Sequence, residues 1–344
     1  MRILVTGGCG FLGSHVCEVF KDHGWDVLAY DDLTKFEYSR VPYFDIDKVR
    51  MYNLEMLESI GVPTIIADVR NSRTLRKAAG GCDLIAHCAA QPAMTIAIEN
   101  PERDFEINAH GTLEVLEVCR DKSIPMVNCS TIHVYGNGLN DYLTPKEGRF
   151  SLDMDKGIDE REDILTGNIT PLHASKRSAE IYVQSYIDTY GVQAANFRLT
   201  GIYGPRQFGG EDHGWVANFA IRTVLDLPIK IFGTDKQVRD ILYVKDAAMA
   251  FLTWYEAGCP TGTYNIGGGE PCITSLGNCL NILHHITGKK QDISKEPPRH
   301  GDLYYFCCDT RKATSTFGWS AFTLPQVGIN ELVKWIQDNK EVFK

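Results

Sequence analysis

No stretch of this sequence offers the roughly 18 consecutive apolar residues that a membrane-spanning helix needs. It has no excess of basic charge either: Asp and Glu total 44 against 35 Lys and Arg, for a formal net charge of −9. That excludes the broad positive surface of a nucleic-acid or anionic-membrane binder. It leaves room only for a local basic pocket for a phosphorylated ligand. C-x-x-C is absent, although there are 11 cysteines. Only the vicinal Cys307-Cys308 and the loose pair Cys82 and Cys88 come near one another. Without short ligand spacings no zinc or other metal site is expected. The thiols read as reduced, mostly buried residues of a cytoplasmic protein. Internal repeats and low-complexity linkers are also missing. The opening MRILVTGG carries one charge before turning strand-like, and is not expected to act as a signal peptide. What is present is ordinary globular material, 44% hydrophobic and 23% charged, which excludes a mostly disordered chain. At roughly 150 residues per domain, the length suggests about two structural units.

The hydropathy pattern alternates. Residues 3–6, 26–30, 64–67, 84–87, 126–129 and 194–199 read as short buried strands. Residues 13–23, 104–121 and 173–190 read as amphipathic helices. Short strands alternating with helices predict a parallel sheet covered on both faces. Beyond about residue 200 the alternation loosens, and glycine and proline cluster at Gly204-Pro205, Gly209-Gly210, 267–269 and Pro297-Pro298. The expected fold class is α/β: a Rossmann-type doubly wound parallel sheet over residues 1–200, with a smaller C-terminal substrate-binding lobe over 201–344. About 237–258 of that lobe is expected to return to the core. The polar, weakly periodic stretch 138–170 is long enough to suggest a functional loop.

The first strand runs straight into Gly7-Gly8-Cys9-Gly10-Phe11-Leu12-Gly13, and a helix follows. The glycine spacing is G-x-x-G-x-x-G. Such a turn lets backbone amides approach a pyrophosphate, and the helix N-terminus adds partial positive charge. Asp31, followed by Asp32, ends the second strand. A carboxylate there bonds the ribose hydroxyls and repels a 2′-phosphate, favouring NAD over NADP. Asp68 and Val69 follow the third strand. Asp68 can bond an adenine amino group or cap the helix that Asn71-Ser72 lead into; both readings stay open.

These residues belong to an ordered set: TGGCGFLGSH (6–15), YDDL (30–33), HCAAQ (87–91), INAHGT (107–112), CSTIHVYG (129–136), ASK (174–176), FRLTGIYGPRQ (197–207), QVRDILYVKD (237–246) and YNIGGG (264–269). With them the chain resembles, over nearly its whole length, the extended short-chain dehydrogenase/reductase family of NAD-dependent nucleotide-sugar epimerases and dehydratases. RQFGGEDHGWV (206–216) and DKGIDE (155–160) look most like CDP-tyvelose epimerase and its relatives. The resemblance implies a bound NAD touched by Gly7, Gly10, Phe11, Leu12, Gly13, Asp31 and Asp32. Asp68, Val69, Ala89, Ala90, Gln91, Asn108 and Lys176 complete the implied cofactor set. It also implies a cycle in which a sugar carbinol is oxidised, a carbon is altered, and the hydride returns. Thr131 would bond the reacting sugar oxygen, and the Lys176 ammonium would bind the nicotinamide ribose and lower the pKa of a base.

The family's tyrosine base lies four residues before the lysine, and here that position is Leu172. Leucine cannot accept a proton, and losing a general base costs about 10²–10⁴ in rate. His173, adjacent to Leu172 and three residues from Lys176, is the first replacement considered. His133 and Cys129, beside Thr131, are further candidates. Sugar 4,6-dehydratases of the family carry Asp-Glu after the Ser/Thr position, where this chain has Ile132-His133, which counts against that chemistry. Gly201 also stands where the family often has an asparagine for the substrate diphosphate, which implies a shifted substrate pose.

In an acidic protein a nucleoside diphosphate needs dedicated cations. Arg239 and Arg299 match family arginines that hold the diphosphate, and Arg206 is a third candidate. Arg239 with Asp240 and Arg299 with Asp302 can instead be plain ion pairs. Asn218, Gln91 and Thr131 complete the expected substrate contacts. The resemblance points to a nucleoside-diphosphate sugar, CDP-linked by the sub-family likeness, and to a homodimer paired through the helices at 104–121 and 173–190. The function expected is a nucleotide-sugar epimerase with an atypical base. Two alternatives stand beside it: a nucleotide-sugar dehydratase, dehydrogenase or decarboxylase, and a non-catalytic NAD- and nucleotide-sugar-binding protein.

Overall fold

The computed structural model describes residues 1–146, 148–152, 157–299 and 301–343. Seven strands form the main sheet, in spatial order Gly262–Ile266, Ala194–Leu199, Met126–Thr131, Leu84–His87, Arg2–Thr6, Asp26–Asp31 and Thr64–Ile66. Every pairing in it is parallel. The strands are apolar on both faces because both faces are covered. On one face Val16 and Phe20 of helix Phe11–Asp22 share a core with Phe251 and Trp254 of helix Val244–Glu256. On the other, Leu75, Leu116 and Val183 come from helices Ser72–Ala78, Gly111–Lys122 and Pro171–Tyr190. The sheet is therefore the doubly wound one the alternation predicts. Its edge strand, Gly262–Ile266, is supplied from beyond residue 200 and pairs with Ala194–Leu199.

The rest of the chain builds a second layer above the carboxyl ends of the strands. Val238–Tyr243 pairs with Gly201–Tyr203, Ile273–Ser275 and Tyr305–Phe306. Ile229–Phe232 pairs with Ile293–Glu296. Helices Trp215–Val224, Leu276–Thr287 and Pro325–Asp338 close a separate apolar cluster over these strands. The strand order of the main sheet reverses between Arg2–Thr6 and Leu84–His87. A crevice opens at the carboxyl ends of strands at such a point.

Two elements differ from the sequence expectation. The helical run expected at 104–121 starts at Pro101, with Asn100 accepting from the Arg103 amide, and passes through a π turn at Glu106–His110. Hydropathy cannot reveal such a turn, because the extra residue shifts the helix face only locally. The stretch 138–170 is not featureless: Leu143–Lys146 and Arg149–Leu152 form a hairpin, and Gly136 meets Thr166 across its base. Of DKGIDE (155–160), residues 155 and 156 lie outside the described residues.

Candidate active site

The glycine turn is shaped by contacts that admit no side chain. Gly7 has φ +67°, and a Cβ there would stand 2.6 Å from the Ala89 amide nitrogen. One on Gly10 would stand 2.9 Å from the Gly7 carbonyl, and one on Gly13 would overlap that carbonyl. Gly10 begins helix Phe11–Asp22, and no side chain caps it. The first amides of the helix are thus left to an anion. Asp31 closes the turn: its Oδ2 accepts from the Cys9 amide at 3.0 Å and its Oδ1 from the Leu33 amide at 2.8 Å. Lys35 Nζ lies 3.9 Å away. Asp32 accepts from the Thr34 amide. Asp68 also reaches this end, but its carboxylate is gripped by Arg70, whose Nε and Nη2 donate at 3.0 and 2.6 Å and hold it below its ordinary pKa. Helix Ser72–Ala78 is capped by Asn71, so the capping alternative for Asp68 does not hold.

One cavity of about 720 Å³ runs from this turn to the second layer. Gly7, Gly10, Phe11, Leu12, Asp31, Asp32, Asp68 and Val69 line its first end, with Ala89, Ala90 and Gln91 following. Gly13 does not line it, because it packs on Gly7 behind the turn. Asn108 stands one layer back as well. The π turn aims its amide at the Gln91 backbone: Oδ1 accepts from Gln91 N at 2.9 Å, and Nδ2 donates to Gln91 O at 3.1 Å and Asp104 Oδ1 at 3.0 Å. Gln91 turns its own side chain inward, to Asp104 and Ala93. The sequence assigns Asn108 to cofactor contact; the structure makes it the clamp of the loop that touches the cavity.

The middle of the cavity is walled by Thr131, Ile132, His133 and Leu172. Thr131 ends its strand, and its Oγ1 accepts from the His133 amide at 3.2 Å, which starts the short turn Ile132–Tyr135. Lys176 lies beneath rather than on the wall: its buried Nζ donates to Cys129 O at 3.0 Å, and burial lowers its pKa. Leu172 occupies the family's tyrosine position and is buried against the cavity.

The two histidines part company here. Thr170 and His173 form a capping box at the start of helix Pro171–Tyr190. Thr170 N donates to His173 Nδ1 at 3.0 Å, and Thr170 Oγ1 bonds the same nitrogen at 2.6 Å. The Thr170 amide donates into the one Nδ1 lone pair, so the ring's proton sits on Nε2 and Nδ1 is not open to take another. His173 is fully buried and does not line the cavity. The expectation that His173 replaces the tyrosine is therefore corrected: it holds the helix start. His133 does line the cavity, and its Nδ1 is buried with no hydrogen-bond partner among the described residues. Burial, then His173 and Arg239, pushes its pKa down to about 3.

The far end is cationic. Arg239 donates to Asp302 Oδ1 at 3.0 Å and to the Leu303 carbonyl, so its ion-pair partner is Asp302 and not the adjacent Asp240. Arg299 lies over the Phe232 ring at 3.8 Å. Both arginines line the cavity. Asn218 lines it too, with Oδ1 occupied by Tyr43 and Arg222, so its amide is what it can offer a ligand. Arg206 is a second correction. It sits at φ +66° and donates to Glu18 at 2.7 Å, outside the cavity wall. The positive φ turns it back onto helix Phe11–Asp22.

Two wall residues escape sequence reasoning. A Cβ on Gly201 would stand 3.8 Å from the Trp215 indole nitrogen, so an indole N–H sits beside the position that lacks the family's asparagine. Gln207 lines the wall with a buried Oε1 that has no described partner. Trp215 carries a faint sequence signal, an aromatic opening a helix just after Gly214.

The model of the NAD dependent epimerase/dehydratase family matches residues 3–267. A CDP-paratose 2-epimerase of Salmonella typhi is 30% identical, over 97% of this chain and 99% of that protein. Among solved structures, a UDP-glucose 4-epimerase of Thermotoga maritima with UDP-glucose is 27% identical with a TM-score of 0.82, covering 99% of this chain and 100% of that one. A UDP-glucose 4-epimerase of Thermus thermophilus in complex with NAD is 30% identical with a TM-score of 0.79, covering 98% of this chain and 100% of that one. The match takes in the glycine turn, Asp31, Thr131 and Lys176, and the chain belongs to the NAD dependent epimerase/dehydratase family, with NAD as its cofactor.

Proposed function

We propose that the protein is a nucleotide-sugar epimerase that oxidises and re-reduces one sugar carbinol, using a proton acceptor other than tyrosine. The observation that carries this reading is the single cavity joining the dinucleotide turn to Arg239 and Arg299, with Thr131 between them. That spacing suits a nucleotide sugar whose diphosphate lies on the arginines and whose sugar lies under Thr131. Bound NAD supplies a hydride acceptor that returns what it takes. The chain's own part is to orient the sugar oxygen through Thr131 and to hold Lys176 beneath the site. Apolar Leu172 and Ile132 keep the reacting carbon dry. CDP linkage is favoured by the likeness to a CDP-paratose 2-epimerase.

Eleven free cysteines suit a cytoplasmic setting. Among the described residues no helix is long and apolar enough to cross a membrane. Ile181, Tyr182 and Tyr190 are exposed on helix Pro171–Tyr190, which suits pairing with a second copy.

The test is native mass spectrometry of the purified protein, followed by incubation with CDP-, UDP- and dTDP-linked hexoses. Retained NAD and a product of unchanged mass are expected. Loss of water, or net reduction of added NAD, would replace the epimerase with the dehydratase or dehydrogenase alternative. Leu172 specifically favours a second reading, a protein that holds NAD and a nucleotide sugar without turning it over. Retained NAD with no turnover on any of these sugars would establish that reading.

A further inference from the structure

We infer that His133 is the proton acceptor for the sugar hydroxyl, taking over from the tyrosine that Leu172 displaces. This rests on the epimerase reading above. Of the groups considered for that role, Leu172 has no basic atom. Lys176 is spent on Cys129 O and lies behind the wall. His173 has its Nδ1 lone pair filled by Thr170. Gln91 is turned inward to Asp104 and Ala93. Cys129 donates its thiol to Cys88 Sγ at 3.6 Å and does not line the cavity. His133 remains, an imidazole on the cavity wall two residues from Thr131.

Its placement is fixed from two sides. Its backbone amide donates to Thr131 Oγ1, so the hydroxyl that orients the sugar and the imidazole share one turn. Its ring stands edge-on to His173, with centroids 5.7 Å apart, against the start of helix Pro171–Tyr190 where Leu172 also lies. The new base therefore stands across from the family position on the same wall.

The charged and titratable groups acting on it are His173 on that helix and Arg239 on strand Val238–Tyr243, the latter paired with Asp302. Burial and the Arg239 guanidinium disfavour the imidazolium, so the resting ring is neutral and ready to accept. They also make it a weak base while the cavity lacks an anion. A diphosphate on Arg239 brings negative charge beside that guanidinium and lifts the basicity of His133 only in the substrate complex. The proton balance is closed. The sugar O–H breaks, its proton goes to the imidazole, and the carbinol C–H breaks as C=O forms, its hydride being what NAD would take up and later return. On the return the hydride adds to the opposite face of the carbonyl and the imidazolium gives the proton back.

The experiment uses the NAD-bound protein with CDP-, UDP- and dTDP-linked hexoses, comparing wild type, His133→Ala, His133→Gln and His133→Ala/Leu172→Tyr. The His133 variants are expected to lose about 10²–10⁴ in kcat with little change in KM. They should also lose the acidic limb of the kcat–pH profile. Leu172→Tyr should restore turnover in the His133→Ala background. A purely structural role would move neither the pH profile nor the rescue. His133→Ala or His133→Gln within threefold of wild type, with the same profile, overturns the assignment and leaves the epimerase reading standing. A wild type with no turnover on any sugar overturns both. Should the variants fail to fold, the His133 resonance of the wild-type protein is followed by NMR with CDP or UDP. Its pKa is expected to rise by about one unit or more; a value unmoved at saturation overturns the assignment.

Discussion

Removing the Glu180 carboxylate should cost more than removing the whole ion pair it belongs to. Glu180 is 1% exposed and Arg198 3%. Its Oε1 accepts from Arg198 Nε and its Oε2 from Arg198 Nη2, both at 2.9 Å. Oε1 also accepts from Ser130 Oγ at 2.6 Å. The Arg198 guanidinium lies 4.8 Å over the Tyr135 ring, with no room to reach water. Glu180→Ala leaves that cation buried without its partner, a loss of about 3–5 kcal/mol. That is about a fifth or more of the roughly 5–15 kcal/mol a domain has. Glu180→Met/Arg198→Met removes both buried charges and leaves apolar bulk, and Arg177, which also donates to Oε2 at 2.7 Å, is partly exposed and can turn to water, so the double variant should cost clearly less. The assay is urea unfolding at fixed NAD, followed by tryptophan fluorescence. Ser130 directly precedes Thr131, so loss of its bond should also lower turnover in Glu180→Ala beyond the stability effect. A single variant costing under about 1 kcal/mol would refute the reasoning, as would a double variant costing as much as the single.

Three further outcomes follow from buried groups and the cavity wall. Burial pushes Asp240 up to about 6, so the folded state holds a proton that the unfolded chain has lost; its stabilising effect is present below about pH 4 and gone above about pH 6. Asp240→Asn keeps an acceptor for the Gly269 and Cys308 amides, and should be about 3 kcal/mol more stable than wild type at pH 7 with no difference near pH 4, read from urea midpoints. Burial pulls His15 down to about 4 and His87 and His133 to about 3, so their contribution is full above about pH 6.5 and is lost as pH falls. In the Asp240→Asn background, where one opposing carboxyl is gone, stability should fall by about 4 kcal/mol per pH unit between roughly pH 6 and 4, less what the raised Asp104 and Asp246 carboxyls offset; a flat curve would contradict the neutral assignment. Trp215→Phe keeps the ring and removes the indole N–H beside Gly201, so KM for a nucleotide sugar should rise about tenfold with kcat little changed; an unchanged KM would remove the indole from the substrate site.

The main sheet was legible because buried parallel strands read as apolar runs between helices, and residues 84–87 and 194–199 carry that signal cleanly. The π turn at Glu106–His110 was not, because it changes hydrogen bonding and not composition. Nor was the edge strand Gly262–Ile266: its opening glycine and its distance from the preceding strand hide a pairing that exists only once Val238–Tyr243 and helix Val244–Glu256 have folded back. The glycine turn and Asp31 were legible for a different reason. Close backbone approach and a ribose carboxylate each demand one residue type at one place, so the sequence must display them.

Where a role depends on what a side chain already bonds, residue type and spacing are silent. His133 and His173 are both imidazoles near Thr131 and Lys176, and spacing to Lys176 favours His173. What separates them is Thr170, whose amide donates into the His173 Nδ1 lone pair while His133 stays on the cavity wall. Arg206 and Arg239 divide in the same way. Both sit in motifs shared with the family, yet a backbone φ of +66° sends Arg206 to Glu18, and strand pairing keeps Arg239 on the wall beside Asp302. In both pairs the group available to a ligand is the one whose local partners leave it facing the cavity. Leu172 lies on that same cavity wall. Its loss of a hydroxyl removes one proton acceptor from one wall, and the neighbouring turn that carries Thr131 places the His133 imidazole on the same cavity.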